Sequence, residues 1–210
     1  MEILITQNEE QWLQSRMSRF TASEIWKLMG TGKGGNTLTK TAETFVYEKA
    51  AAILTGVSKP VYGDALTWGL ENEAGAFNMF QKHFFEEWTY YGSDTHVFIP
   101  YGHYSGFSPD GLSADAILEI KSPYNSGIHL KNFTVTDADS LKSVHPEYYW
   151  QMQLGMISAK LEKGYFVSYD PRMPEGKQLH IAEIERHDLQ FEIDEKLEAA
   201  WELLQTILHS

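Results

Sequence analysis

Phe107-Ser108-Pro109-Asp110-Gly111-Leu112, followed at short range by Leu118-Glu119-Ile120-Lys121-Ser122-Pro123, is the stretch on which the fold turns. Ala116–Lys121 reads as a β-strand. Side chains alternate across a strand, so Leu118 and Ile120 share one face while Glu119 and Lys121 share the other. The apolar pair belongs to the core, which leaves a carboxylate and an ammonium together on the polar face. Asp110 lies between a proline and a glycine, where a turn would hold it at the edge of the sheet. Neighbouring strands are predicted at Thr95–Ile99, Tyr104–Ser108 and Gly111–Asp115.

Upstream, Gln7–Met17 reads as a helix. Thr21-Ala22-Ser23-Glu24 has the capping-box spacing for a short helix that stops near Gly30. Gly30–Asn36 is a glycine-rich loop carrying Lys33. It lacks the Gly-Lys-Ser/Thr ending of a nucleotide-binding loop, and no strand precedes it. Helices follow at Thr39–Leu54 and Ala65–Phe85. Downstream, a helix begins after Pro146 and runs to about Leu161. Strands at Gly164–Tyr169 and Leu179–Glu185 precede a final helix, capped by Asp188 and reaching about Leu208. This order implies one α/β domain over residues 1–210, a mixed central sheet flanked by helices with extra helices at both ends.

A chain of 210 residues, 42% hydrophobic and 22% charged, is globular rather than disordered. No apolar run reaches the roughly 18–20 residues of a membrane span. The N-terminus has no signal-peptide pattern. With no cysteine, a disulfide scaffold and a thiolate-held zinc or iron–sulfur site are excluded, and a reducing cytoplasm is the expected compartment. The net charge of −12 is unusual for a protein that grips nucleic acid, so its basic residues would have to line a channel.

An isolated Glu-x-Lys is ordinarily a surface ion pair. An Asp nine residues ahead of it is the active-site spacing of the PD-(D/E)xK nucleases. Two carboxylates at one strand edge collect Mg²⁺, a hard cation that takes oxygen ligands and keeps several waters. Such a metal lowers the pKa of bound water and neutralises phosphate charge. The lysine stabilises the attacking hydroxide or the charge that develops on phosphorus.

The chain resembles the phage λ exonuclease family of viral recombination nucleases through blocks in the family's order. These are Trp12-Leu13-Gln14-Ser15-Arg16, Thr21-Ala22-Ser23-Glu24, and Ala65-Leu66-Thr67-Trp68-Gly69 with Glu73 beyond it. The Asp110 and Glu119–Lys121 blocks come next, then Gln151-Met152-Gln153, Tyr169-Asp170-Pro171-Arg172-Met173 and Ile184-Glu185-Arg186. The resemblance implies a restriction-endonuclease-like core and Mg²⁺-dependent exonuclease activity. One strand of duplex DNA would be degraded 5′→3′ to 5′-mononucleotides, leaving a 3′ overhang for recombination by strand annealing.

By the same resemblance Asp110 and Glu119, with the Ile120 carbonyl, hold metal. Glu73 lies near a second Mg²⁺, and Mn²⁺ can substitute. Lys121 is base or stabiliser, and Gln151 positions the reacting groups, with Gln153 competing for that role. Arg16, Ser23 and Ser108 form the pocket for a 5′-phosphate, with Arg19 as an alternative cation. Leu66 wedges apart the terminal base pair, or is ordinary helix core. Lys33 is a duplex contact or a solvated loop lysine. The assembly is a homotrimeric ring around DNA, which reconciles the charge of −12 with processivity. The implied partner besides duplex ends is a single-strand annealing protein.

One departure is Gly127, at a position where the family carries a basic residue; Lys131 lies further on. The histidines, among them His83, His129 and His145, have no metal-ligand spacing and read as structural or exposed. Trp150, beside Gln151, is either core or faces the site. Two alternatives remain at this stage. One is a structure-specific or restriction-type endonuclease on the same core, which would cut closed circular DNA. The other is an inactive DNA-end-binding scaffold, which would digest nothing with Mg²⁺.

Overall fold

The strand Ala116–Lys121 is buried on both faces in the computed structural model of the protein. Residues 3–5, 9–32, 37–57, 63–92 and 95–210 are described, except the side chains of residues 5 and 9. In chain order the elements are β1 (Leu4–Ile5), α1 (Glu9–Met17), β2 (Phe20–Thr21), a 3₁₀ turn (Ile25–Lys27), α2 (Lys40–Thr55) and α3 (Asp64–Gln81). Then come β3 (Thr89–Tyr90), β4 (Val97–Tyr101), β5 (Ser105–Phe107), β6 (Gly111–Leu112) and β7 (Ala116–Lys121). Helices α4 (Ser126–Asn132), α5 (Ala138–Val144) and α6 (Pro146–Ala159) lead to β8 (Lys163–Tyr169), β9 (Leu179–Glu185) and α7 (Gln190–His209).

The architecture is mixed α/β as expected, but with two sheets in place of one. A five-stranded sheet has the order β3-β6-β7-β8-β9, in which only β7 and β8 run parallel. A four-stranded sheet has the order β1-β4-β5-β2, with β2 and β5 parallel. The chain crosses between them at Ser108-Pro109-Asp110. Pro109 has no N–H with which to continue a ladder, which suits a strand break there.

Helix α6 lies against both sheets and is buried all round from Tyr149 to Ala159, as a helix without a polar face must be. It approaches closely because two glycines leave room. A Cβ on Gly155 would meet Ile117 and Phe107 at 3.0 Å, and one on Gly164 of β8 would meet Met152 of α6 at 3.0 Å. On the other side of β7, Ala116, Leu118 and Ile120 pack with Ala76 and Phe80 of α3, and with Trp88, Tyr165, Val167 and Tyr169. Trp150 belongs to the core beneath α6 and does not face the site.

Several local expectations fail for identifiable reasons. Thr21 lies in β2 and donates to the Glu24 carboxylate at 2.8 Å, side chain to side chain, so no capping box forms and only a 3₁₀ turn follows. α7 starts after Leu189 with no side-chain cap, so Asp188 does not cap it. α3 ends at Gln81, whose amide turns back to donate to Glu86 O (2.9 Å) and accept from Trp88 N (3.3 Å). The strand expected to reach Asp115 stops at Leu112, where Ser113 N bonds Ala116 O in a tight turn. Helices α4 and α5, capped by Asn125 and Asp137, were not anticipated. The predicted start of α1 at Gln7 and the loop lysine Lys33 lie outside the described residues.

Candidate active site

Strand β7 delivers its functional pair where it leaves the core. Ile117, Glu119 and Lys121 point to the α6 side, while Leu118 and Ile120 anchor the strand against α3. The β6–β7 register pairs Gly111 with Leu118. Continuing it one step sets Asp110 opposite Glu119 on the same face. The Ile120 amide donates to Asp110 Oδ2 at 2.6 Å and fixes that carboxylate.

Glu119 is almost wholly buried. Its Oε1 accepts from Lys121 Nζ at 2.5 Å and from Gln151 Nε2 at 2.7 Å. Its Oε2 is buried with no hydrogen-bond partner. A buried carboxylate oxygen left unpaired is costly unless something else satisfies it. Burial, then the charges of Glu119 and Glu73, push the Asp110 carboxyl well above the usual range, against the pull of Lys121. Burial disfavours the Lys121 ammonium, but Glu119 and Asp110 outweigh it and hold its pKa above the ordinary value. The ammonium also sits 4.8 Å from the centre of the Tyr148 ring, a contact sequence reasoning missed. Gln153 is turned away, bonded to Glu185 O and His187 N, so only Gln151 reaches Glu119.

Arg16, Ser23, Leu66, Glu73, Ser108, Asp110, Glu119, Lys121 and Gln151 all line one open cavity of about 440 Å³. Ile120 lies behind it, its side chain in the core against α3. In the same cavity, Arg16 Nη1 donates to Ser108 Oγ at 2.7 Å, and the guanidinium stacks 4.3 Å over Trp12. Burial lowers the Arg16 pKa, while Glu24 and Glu119 push it back up. Arg19 instead bonds Ser15 O, and His129 and His145 are held in polar networks. Thr21, another cavity-lining hydroxyl, lies 3.2 Å from Ser23 Oγ. It belongs to the Thr21–Glu24 block, but that spacing pointed to a cap and concealed it. Glu73 accepts from Tyr90 Oη at 3.0 Å. Leu66 and Leu70 are 43% and 47% exposed, so Leu66 is not core.

The donors suit a hard cation, since all are oxygens. Asp110, Glu119 and the Ile120 carbonyl are the residues that would hold it, and the unpaired Glu119 Oε2 is the atom it would satisfy. Among the described residues no three His, Asp or Glu side chains are grouped closely enough to hold a metal by themselves.

The family model of the YqaJ-like viral recombinase domain matches residues 11–162, a span that includes every residue of this cavity. The chain belongs to that family. The chain is also similar in structure to LHK-Exo, an alkaline exonuclease from Laribacter hongkongensis. It is 27% identical over 95% of this chain and 94% of that one, with a TM-score of 0.77. The structure of LHK-Exo in complex with dAMP matches at 29% identity over the same shares, also at 0.77. A phage-related exonuclease from Haemophilus somnus 129PT shares the fold at 17% identity, covering 91% of this chain and 95% of its own, with a TM-score of 0.75. No curated protein sequence matches. The chain has the expected phage-exonuclease fold, with its sheets flanked by seven helices among the described residues. No helix among those residues is long and apolar enough to cross a membrane.

Proposed function

We propose that this YqaJ-family protein is a Mg²⁺-dependent exonuclease that degrades one strand of duplex DNA from its 5′ end. It would release 5′-mononucleotides and leave a 3′ overhang for strand annealing. The observation that carries this reading is one cavity lined by both the Asp110–Glu119–Lys121 cluster and the Arg16–Ser108 pair. The relative named an alkaline exonuclease, LHK-Exo, supports it, as does the complex of that protein with dAMP.

Asp110, Glu119 and the Ile120 carbonyl would hold Mg²⁺, which would supply an activated water and neutralise phosphate charge; Glu73 would serve a second ion, and Mn²⁺ is an expected substitute. Gln151 holds Glu119 in place through its amide. Lys121, kept as an ammonium, donates to a non-bridging oxygen of the scissile phosphate and stabilises the charge that develops there. Arg16, Ser108 and Ser23 grip the terminal 5′-phosphate, the guanidinium fork suiting its oxygens. Leu66, half exposed beside them, takes the place of lost stacking at the frayed end. A ring-shaped trimer in the bacterial cytoplasm, working with an annealing protein, completes the proposal.

Linear duplex labelled separately at each 5′ and 3′ end tests it, with and without Mg²⁺. Early release of the 5′ label as mononucleotide, only with the metal, is expected. Release from the 3′ end first, or cutting of closed circular DNA, would overturn the exonuclease assignment.

A further inference from the structure

Tyr169-Asp170-Pro171-Arg172-Met173 stands among the sequence blocks but has no part in the cavity. Asp170 is fully buried at the end of β8. Its Oδ1 accepts from the Arg172 backbone N at 3.0 Å and from Arg172 Nε at 2.8 Å. Its Oδ2 accepts from Arg172 Nη2 at 2.9 Å and from Ser126 Oγ at 2.7 Å. The guanidinium so held reaches two other elements. Nη2 donates to Tyr124 O at 2.8 Å and approaches Pro123 O at 3.4 Å, in the loop that leaves β7 directly after Lys121. Its carbon lies 4.1 Å over the ring of Trp68 in α3, and Trp68 meets Tyr124 edge-on at 6.1 Å.

We infer that Arg172 is a positioning residue for the nuclease site, clamping the first turns of α3 to the exit of the catalytic strand. Helical spacing puts Leu66, Leu70 and Glu73 on one side of α3, the side that lines the cavity, and Trp68 on the opposite side. A hold on Trp68 from behind therefore sets the row that faces the substrate. The same guanidinium fixes the loop after Lys121, so one side chain keeps the two walls of the cavity in register. Its own side chain is 41% exposed, so its loss opens no cavity in the core. Lysine cannot replace it, because a compact ammonium neither stacks as a plane nor forks between a carboxylate and two carbonyls.

The site it positions rests on the proposed nuclease function, so the test has one arm that does not depend on activity. Hydrogen exchange by mass spectrometry should show faster exchange over residues 64–73 and 122–126 in Arg172→Ala, with the rest of the chain unchanged. In digestion of linear duplex, well below the melting temperature of both proteins, kcat should fall about 10–100-fold, the cost of a misplacement near 1 Å, while KM stays within about 3-fold. Arg172→Lys should not restore kcat. Trp68→Leu, which removes the stacking surface and leaves the ion pair, should produce the same local exchange and lowered kcat. It also carries the test alone if Arg172→Ala does not fold. Combined with Arg172→Ala it should add little further loss, since both act through one contact. Unchanged exchange in α3, or restored kcat in Arg172→Lys, would overturn the assignment. A wild-type protein that digests nothing would refute the proposed function instead, and the exchange result would still decide whether the clamp exists.

Discussion

Glu119 carries two hydrogen bonds on one carboxylate oxygen and none on the other, and the proposed chemistry depends on that asymmetry. Lys121→Ala should fold and bind duplex, yet lose activity by about 10²–10³-fold, the usual loss for one donor aimed at developing charge. Near wild-type turnover would remove the lysine from the mechanism. Asp110→Asn should weaken Mg²⁺ binding by roughly 10-fold or more, read by calorimetry, and abolish cleavage. Because burial, Glu119 and Glu73 hold the Asp110 proton on to higher pH, wild-type Mg²⁺ affinity should also climb as the pH is raised, and the variant should lose part of that dependence. Arg16 cannot ligate metal, and its test is the chemistry of the DNA end. A charge-assisted contact to phosphate is worth about 1.5–3 kcal/mol. Arg16→Ala should slow degradation of 5′-phosphorylated ends by about 10–150-fold and affect 5′-hydroxyl ends much less, at matched salt. Equal slowing of both ends would make Arg16 a general backbone contact.

Among the elements, β7 was legible residue for residue, because β-branched and apolar residues alternate with the Glu-Lys pair and turn residues bound it. The choice between Gln151 and Gln153 was not legible. Both lie on a helix buried all round, so no polar face marks one as facing the site, and only the docking of α6 through Gly155 and Gly164 decides it. α4 and α5 were missed because each spans 7 residues, too few for a clear periodicity. The end of β8 has a testable pH signature. Its bonds from Arg172 and Ser126 hold the Asp170 pKa down to about 2, below the roughly 3.9 of an unfolded aspartate. That contribution to stability is complete above about pH 4 and disappears as the pH falls through the folded value. Asp170→Asn should melt lower at pH 7, by about 3–10 °C, and the gap to wild type should close toward pH 2. A gap that stays constant across that range would show that the carboxylate charge is not what stabilises this corner.

For the molecule as a whole, the net charge of −12 sits poorly with a phosphate-binding enzyme, and the cavity shows where the exception lies. Arg16 and Lys121 both face the open space beside the acids, so cation density is local to the site. Enclosure of DNA by a ring would retain the enzyme on its substrate without a basic outer surface. The protein should therefore run in light scattering as a trimer of about 72 kDa, three times the 24.0 kDa chain, with closed cyclic symmetry. A monomer at micromolar concentration would leave processivity without its explanation.

Residue types and their order were enough for the α/β class and for the strand that bears Glu119 and Lys121 with Asp110 ahead of it, because alternation and motif spacing are local properties of the chain; the other candidate residues came from the resemblance to a family. Tertiary structure alone decided that the strands divide into two sheets at Pro109 and that Thr21 joins the cavity as a strand residue. The same holds for the contact of Gln151 with Glu119 and for Arg172 joining β8, α3 and the exit of β7. Those outcomes depend on which surfaces approach closely enough to exclude water, and residues far apart in sequence meet there for reasons of packing that no local pattern records.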